Sequence, residues 1–250
     1  MKENKLKQRL LGRQACYGVI SPTTDPIVCE YVGLSGFDFY VIDAEHGFPS
    51  PNEVQHMVRA LEGVGCTPLA RVGDLNEKLL LQYLDCGVMG VLMPGCSTTE
   101  ELQQLVAAVK YPPSGRRGLG PVRAADYMMK MPQAQYVRFA NEQTLVFPQI
   151  EDPRAVENLD HLLAVEGVDG FVVGPRDLAL AMGFYDGPAH PEVQALMQEV
   201  FEKIRAAGKI AGTVAATREQ AQQLVAKGIL LVMNSVQGLL SAGARSFLTP

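Results

Sequence analysis

Apolar, β-branched runs of a few residues alternate along this chain with stretches whose apolar positions recur every three or four residues. The first pattern is that of a strand buried on both faces, the second that of an amphipathic helix. Strands are predicted over residues 14–20, 37–42, 67–72, 90–93, 145–150, 170–173, 210–214 and 229–234. Helices are predicted over 26–34, 52–61, 76–85, 99–110, 153–164, 177–182, 192–207, 219–226 and 239–247. Val54, Met57, Val58 and Leu61 show the helical spacing. Asp25, Thr98 or Thr99, and Asp152 before Pro153 stand where N-caps belong, and Gly87 stands where a helix should stop. Residues 111–143, rich in Pro, Gly, Arg and Met, break the rhythm. A stretch that long in a compact chain is functional or folds into short helices of its own.

Eight strand–helix units in succession predict a parallel sheet covered by helices, and in a chain of 250 residues they favour a closed (β/α)8 TIM barrel over an open sheet. No linker, charge block or low-complexity segment divides the chain, so a single α/β domain spanning residues 1–250 is expected.

Composition narrows the partners. Apolar residues make up 47% and the formal net charge is −5. That balance argues against nucleic acid or an anionic membrane, but not against a small anion held by one or two arginines. The five cysteines, Cys16, Cys29, Cys66, Cys86 and Cys96, are odd in number and widely spaced, with no Cys-x-x-Cys. A reducing compartment, the cytoplasm, suits them better than a disulfide framework or a zinc knuckle. Residues 1–13 are polar and mostly basic, without the apolar segment of a secretory signal. No apolar run approaches the roughly 20 residues of a bilayer span.

The working end of a parallel barrel is the rim where its strands finish. The second strand brings Asp43, Glu45 and His46 to that rim, the third Arg71, the fifth Gln149 and Glu151, the sixth Gly174, Pro175, Arg176 and Asp177. The seventh brings Thr213, and the eighth Asn234 and Ser235. Of the four histidines only His46 follows a strand, which argues against a three-histidine zinc site. No lysine ends a strand, which argues against Schiff-base chemistry. Two carboxylates from neighbouring strands, Glu151 and Asp177, suit a hard divalent cation such as Mg²⁺ or Mn²⁺, able to polarise a carbonyl oxygen. Arg71 can support the same charge or hold a carboxylate. His46, oriented by Asp43, can move protons. The set points to proton abstraction beside a carbonyl, or to carbon–carbon cleavage through an enolate. The plainer alternatives are that Glu151 and Asp177 cap helices, that Arg71 pairs with Glu45, and that Glu45 is a solvated loop acid.

The runs Ile42-Asp43-Ala44-Glu45-His46, Gln149-Ile150-Glu151 and Gly174-Pro175-Arg176-Asp177-Leu178 resemble the HpcH/HpaI aldolase family, the metal-dependent class II pyruvate aldolases. Leu84-Asp85-Cys86-Gly87-Val88, Tyr111-Pro112-Pro113, Arg117-Gly118-Leu119-Gly120 and Val165-Glu166-Gly167-Val168-Asp169-Gly170 follow the same pattern in order, so the resemblance covers nearly the whole chain. It implies a (β/α)8 barrel of the phosphoenolpyruvate/pyruvate type and a homo-oligomer, a hexamer (trimer of dimers) built from dimers that exchange the last helix. It implies reversible cleavage of a 4-hydroxy-2-oxo acid, such as a 4-hydroxy-2-oxoheptanedioate or a 2-dehydro-3-deoxyglucarate, into pyruvate and an aldehyde, with Mg²⁺, Mn²⁺ or Co²⁺. In that resemblance Glu151 and Asp177 bind the metal, and His46 takes part in proton transfer with Asp43 as its partner. Arg71 stabilises the enolate oxygen, Gln149 orients a water of the metal, and backbone amides around Gly174, Arg176 and Asp177 hold the substrate carboxylate. Asp85 matches an aspartate that approaches a neighbouring subunit's site.

Departures from the family pattern gather near the acceptor side and leave the aldehyde open. Arg176 stands where a small residue is common, Val72-Gly73-Asp74 replaces a Pro-Trp-Asn type of sequence, and Met233-Asn234-Ser235-Val236 ends the last strand. Arg116, Arg117 and Arg123 could bind a second substrate carboxylate or form a solvated basic loop. Two other readings share the residues: a lyase of malyl- or citryl-CoA type, which would need that loop for its nucleotide, and a non-catalytic barrel that binds a 2-oxo acid.

Overall fold

The computed structural model describes residues 2–248. Strands β1 (Cys16–Ser21), β2 (Phe39–Ala44), β3 (Thr67–Val72), β4 (Gly90–Met93), β5 (Leu145–Ile150), β6 (Gly170–Val173), β7 (Ile210–Val214) and β8 (Leu231–Ser235) run parallel in sequence order. β8 pairs with β1, so the sheet closes into a (β/α)8 barrel. Around it lie α2 (Pro26–Leu34), α3 (Pro51–Val64), α4 (Glu77–Cys86), α5 (Thr99–Val109), α7 (Pro153–Glu157), α8 (Leu159–Leu163), α9 (Pro175–Ala181), α10 (Pro191–Ala206), α11 (Arg218–Ala226) and α12 (Val236–Leu248), while α1 (Lys5–Leu11) precedes the barrel and α6 (Gln133–Gln143) follows a 3-10 turn at Arg123–Met128.

The predicted caps do their work. Asp25, Thr98 and Asp152 each accept a backbone N–H at the start of their helices, and Gly87 takes the left-handed φ of 106° that ends α4. Elsewhere local chemistry overrides the apolar pattern. Asn158 divides the helix expected over 153–164 because its side-chain amide donates to Ser97 O at 2.9 Å, pulling it out of helical geometry. α6 lies within the segment expected to be irregular; it buries only Tyr136 and Ala140, too thin a stripe to stand out. The N-terminal segment, read as merely polar, forms α1 and buries Leu6 and Leu10.

Side chains along each strand alternate between two apolar layers. One lies between the sheet and the helices and includes Tyr40, Ile42, Ala70, Val146 and Ile150. The other fills the barrel and includes Phe39, Val41, Leu69, Leu92, Leu145 and Phe147, with Leu6 and Leu10 of α1 packed into it. Leu145 lies in that layer beside α1, and the strands run away from it. α1 therefore seals the N-terminal end, and the opposite rim is the open one. Asn4 locks the seal, its buried side chain donating to Met89 O and Gln143 O.

Candidate active site

The inward layer fixes what reaches the rim. Counting by twos from Phe39 and Val41 leads to Asp43 and Glu45; from Leu69 to Arg71; from Leu145 and Phe147 to Gln149 and Glu151. Asp43 and Arg71 are paired residues across β2 and β3. The buried Asp43 carboxylate accepts from Arg71 Nε at 2.9 Å and Nη2 at 2.7 Å, a two-bond fork. Burial alone would raise the Asp43 carboxyl; the Arg71 guanidinium and the amides of His46 and Glu45 outweigh it and hold the group below its usual value. The third nitrogen, Nη1, stands 3.0 Å from Glu45 Oε2. That oxygen is buried and has no hydrogen bond among the described residues. Burial pushes the Glu45 carboxyl up, Arg71 opposes this, and Glu151 adds to it.

His46 is exposed at the rim. No direct hydrogen bond joins its imidazole to Asp43 among the described residues. Asp43 Oδ1 accepts from the backbone N–H of Glu45 at 3.2 Å and of His46 at 3.3 Å, and the rest of the carboxylate belongs to Arg71. Asp43 thus shapes the turn that carries His46 without touching its imidazole through a hydrogen bond. Gly47 lets that turn close: a Cβ there would lie 2.4 Å from Asp43 O and 3.0 Å from Pro22. The need for glycine at this position was not read from the sequence, since only the packing against Pro22 reveals it.

Glu151 leaves the end of β5 with Oε1 accepting from Gly95 N–H at 2.9 Å and Oε2 from the Gln149 side-chain amide at 2.8 Å. Asp152, not Glu151, caps α7, and α9 has no side-chain cap, so neither Glu151 nor Asp177 is a helix cap. The two carboxylates converge at Gly174. A Cβ on that glycine would lie 3.2 Å from Glu151 Oε2 and 4.0 Å from Asp177 Oδ2. They line a cavity of about 280 Å³ together with Glu45, Gly95 and Gln149. The Gly174 amide, expected to hold substrate, is instead spent on Ile150 O at 2.9 Å. The amides of Arg176 and Asp177, in the first turn of α9, have no helical partner.

These residues fit a hard divalent cation. Asp43, Glu45, Glu151 and Asp177 gather at one rim, and Arg71 is ion-paired with the first two, leaving Glu151 and Asp177 without a cationic partner among the described residues. Among the described residues, no group of three or more His, Cys, Asp or Glu is placed to hold a metal ion, so protein donors would number two. Two carboxylates with the remaining positions left to water or substrate is the habit of Mg²⁺ and its relatives.

Other candidates are occupied elsewhere. Thr213 is buried and donates to Val173 O, and Asn234 donates to Ala216 O. Arg117 pairs with Asp85, Arg123 with Glu62, and Arg116 with Glu77. The arginine-rich segment is therefore not the free basic surface a nucleotide would need. Arg176 is exposed and has no ion pair or hydrogen bond among the described residues.

The likeness of this chain to known proteins gives its class: a (β/α)8 carbon–carbon lyase. The chain belongs to the HpcH/HpaI aldolase/citrate lyase family, whose sequence profile matches residues 17–243. It is 34% identical over 243 residues to the 2-keto-3-deoxy-L-rhamnonate aldolase of Escherichia coli K12, spanning 96% of this chain and 90% of that one. It is 36% identical over 232 residues to the 5-keto-4-deoxy-D-glucarate aldolase of Shigella dysenteriae, spanning 92% and 89%. Among solved structures it resembles an HpcH/HpaI aldolase/citrate lyase family protein from Burkholderia cenocepacia J2315, with a TM-score of 0.91, 30% identity and 98% of both chains covered.

Proposed function

We propose that this aldolase cleaves a 4-hydroxy-2-oxo acid reversibly into pyruvate and an aldehyde, with a divalent cation between Glu151 and Asp177. The observation that carries this is the convergence of the two carboxylate oxygens over Gly174. The cation, when bound, withdraws electrons from the 2-oxo group as a Lewis acid. The substrate carboxylate meets the unbonded amides of Arg176 and Asp177. Arg71, held by Asp43, turns Nη1 to the mouth and stabilises the oxygen that becomes the enolate. His46 takes the proton from the C4 hydroxyl; the C3–C4 bond then breaks, the aldehyde leaves, and a proton returns to C3 to give pyruvate. Gln149 keeps Glu151 aligned through its 2.8 Å bond.

The relatives act on a rhamnonate and a glucarate derivative, so both neutral and carboxylated aldehydes belong in the first screen. A homo-oligomer, a hexamer made of three helix-exchanging dimers, suits α12, which buries no residue and exposes Leu240, Phe247 and Leu248. Asp85 would face a neighbouring copy's mouth. Among the described residues no helix is long and apolar enough to cross a membrane. All five thiols are free, which suits the reducing cytoplasm. Removal of metal with a chelator should abolish pyruvate release from a 4-hydroxy-2-oxo acid, and Mg²⁺, Mn²⁺ or Co²⁺ should restore it. Cleavage that survives complete metal removal would defeat this reading.

A further inference from the structure

The end of the barrel away from Glu151 and Asp177 carries a second cavity, of about 450 Å³. Gly87 and Met89 just before β4, the last turns of α3 and the 3-10 turn at Arg123–Met128 form its walls. These elements lie at the sealed N-terminal end of the strands, and none of their residues takes part in the chemistry at the mouth.

One wall is held in place by a fork. Arg123 donates from Nη2 to Glu62 Oε2 at 2.6 Å and from Nη1 to Glu62 Oε1 at 3.2 Å, and Nη1 also donates to Cys86 O at 2.9 Å. A Cβ on Gly87 would lie 2.6 Å from Nη1, so the guanidinium fills a notch that only glycine leaves open. Beyond Arg123 the backbone is strained. Asp126, Tyr127 and Met128 take φ values of 48°, 56° and 60°, three left-handed residues in succession with no glycine among them. The run turns Met128 inward against the Tyr111–Tyr136 cluster and leaves Tyr127 half exposed on the cavity wall. Strain of this kind collects where a protein clamps a ligand. Met89, Ala124 and Met131 extend the apolar side of the cavity beside Tyr127.

The remaining lining is basic. Lys2, Arg59, Arg123 and Lys130 stand against Glu62 and Asp126, a surplus of two positive charges among the described residues, in a chain whose formal net charge is −5. Arg123 is spent on Glu62, and Lys130 is paired with Asp126 at 3.2 Å. Lys2 reaches only Glu62, its O at 3.4 Å and Oε2 at 3.8 Å. Arg59 is exposed and makes no ion pair or hydrogen bond among the described residues. A cation near the end of α3 suits the helix dipole, but Arg59 donates to none of that helix's carbonyls. An apolar wall facing unpaired cations across a cavity of this size is the makeup of a small-molecule site.

We propose that this cavity is a second ligand site, for a phosphate monoester with a flat apolar body: the body lies against Tyr127 and Met131, and the dianion meets Arg59 and Lys2. The site is independent of what the mouth cleaves. Calorimetric titration of the full chain with phenyl phosphate, inorganic phosphate and phenol tests it. Phenyl phosphate should bind roughly tenfold or more tightly than inorganic phosphate, the gain from burying one aromatic face. Arg59→Gln should weaken phenyl phosphate roughly tenfold, the worth of one hydrogen bond to a charged group, and Arg59→Lys should weaken it less. Tyr127→Ala should lower the affinity for phenyl phosphate towards that for inorganic phosphate, and Tyr127→Phe should keep it. Arg71→Met, at the mouth, should bind phenyl phosphate as wild type does. Binding lost in Arg71→Met but kept in Arg59→Gln would place the ligand at the mouth and overturn the proposal. Equal affinities for phenyl phosphate and inorganic phosphate would leave Tyr127 without a part and overturn the ligand class. No binding at millimolar phenyl phosphate would overturn the site itself.

Discussion

Asp43 is buried, ionised and bonded by four donors, two from Arg71 and two backbone amides. Removing its charge with Asp43→Asn leaves a guanidinium partly uncompensated, and should cost about 3 kcal/mol in urea unfolding at neutral pH. The pH dependence has a definite sign. The Asp43 carboxyl sits below its ordinary value in the fold, so its contribution is complete above the unfolded pKa of about 3.9 and disappears as the pH falls through the lowered one. The gap in melting temperature between wild type and Asp43→Asn should therefore be full at pH 6 and shrink steadily below about pH 4; a gap that widens in acid would contradict the pairing. At this scale the sequence was legible as far as period-two counting reaches. Asp43, Arg71, Gln149 and Glu151 follow from parity along their own strands. Which of them bond to each other does not, because Asp43 chose Arg71 over His46 through the lateral pairing of two strands, and no single strand records its neighbour.

Between strand and helix, the turn after β2 depends on one missing methyl group. Gly47→Ala would drive a Cβ against Asp43 O and Pro22, displacing His46, and should lower kcat/KM for cleavage by about 100-fold. The melting temperature should fall as well, since Gly47 is buried and the added methyl meets backbone atoms. Wild-type kcat/KM in Gly47→Ala would mean the imidazole's place is immaterial. At the other end, α1 closes the barrel with Leu6 and Leu10. Leu10→Ala should cost about 3 kcal/mol in chemical denaturation and leave kcat nearly intact, because the rim is a strand's length away. The strands and most helices were readable from apolar periodicity and from caps such as Asp25, Thr98 and Asp152. α1 and α6 were not. Each buries two large or small apolar residues one turn apart in a polar setting, a signal that acquires meaning only when a barrel floor or a loop wall stands opposite.

For the molecule as a whole, α12 touches β1 and β8 and lays Val236 on the core, yet buries no residue fully and leaves Leu240, Phe247 and Leu248 exposed. Leu240→Glu with Phe247→Glu should shift the protein in light scattering from an oligomer to smaller species, and aldol addition should fall with it while pyruvate proton exchange persists. An unchanged mass would show that these side chains join nothing. The closed order of eight strands was legible because each unit repeats the same alternation. One last consequence follows from the register of β2 and β3, where Asp43 stands directly across from Arg71. Were either strand to slip by a single step, its charge would swing outward among the greasy helices with nothing to answer it. The buried pair thus acts as a spelling check on the folding chain, and stripping it out would sacrifice fidelity of assembly.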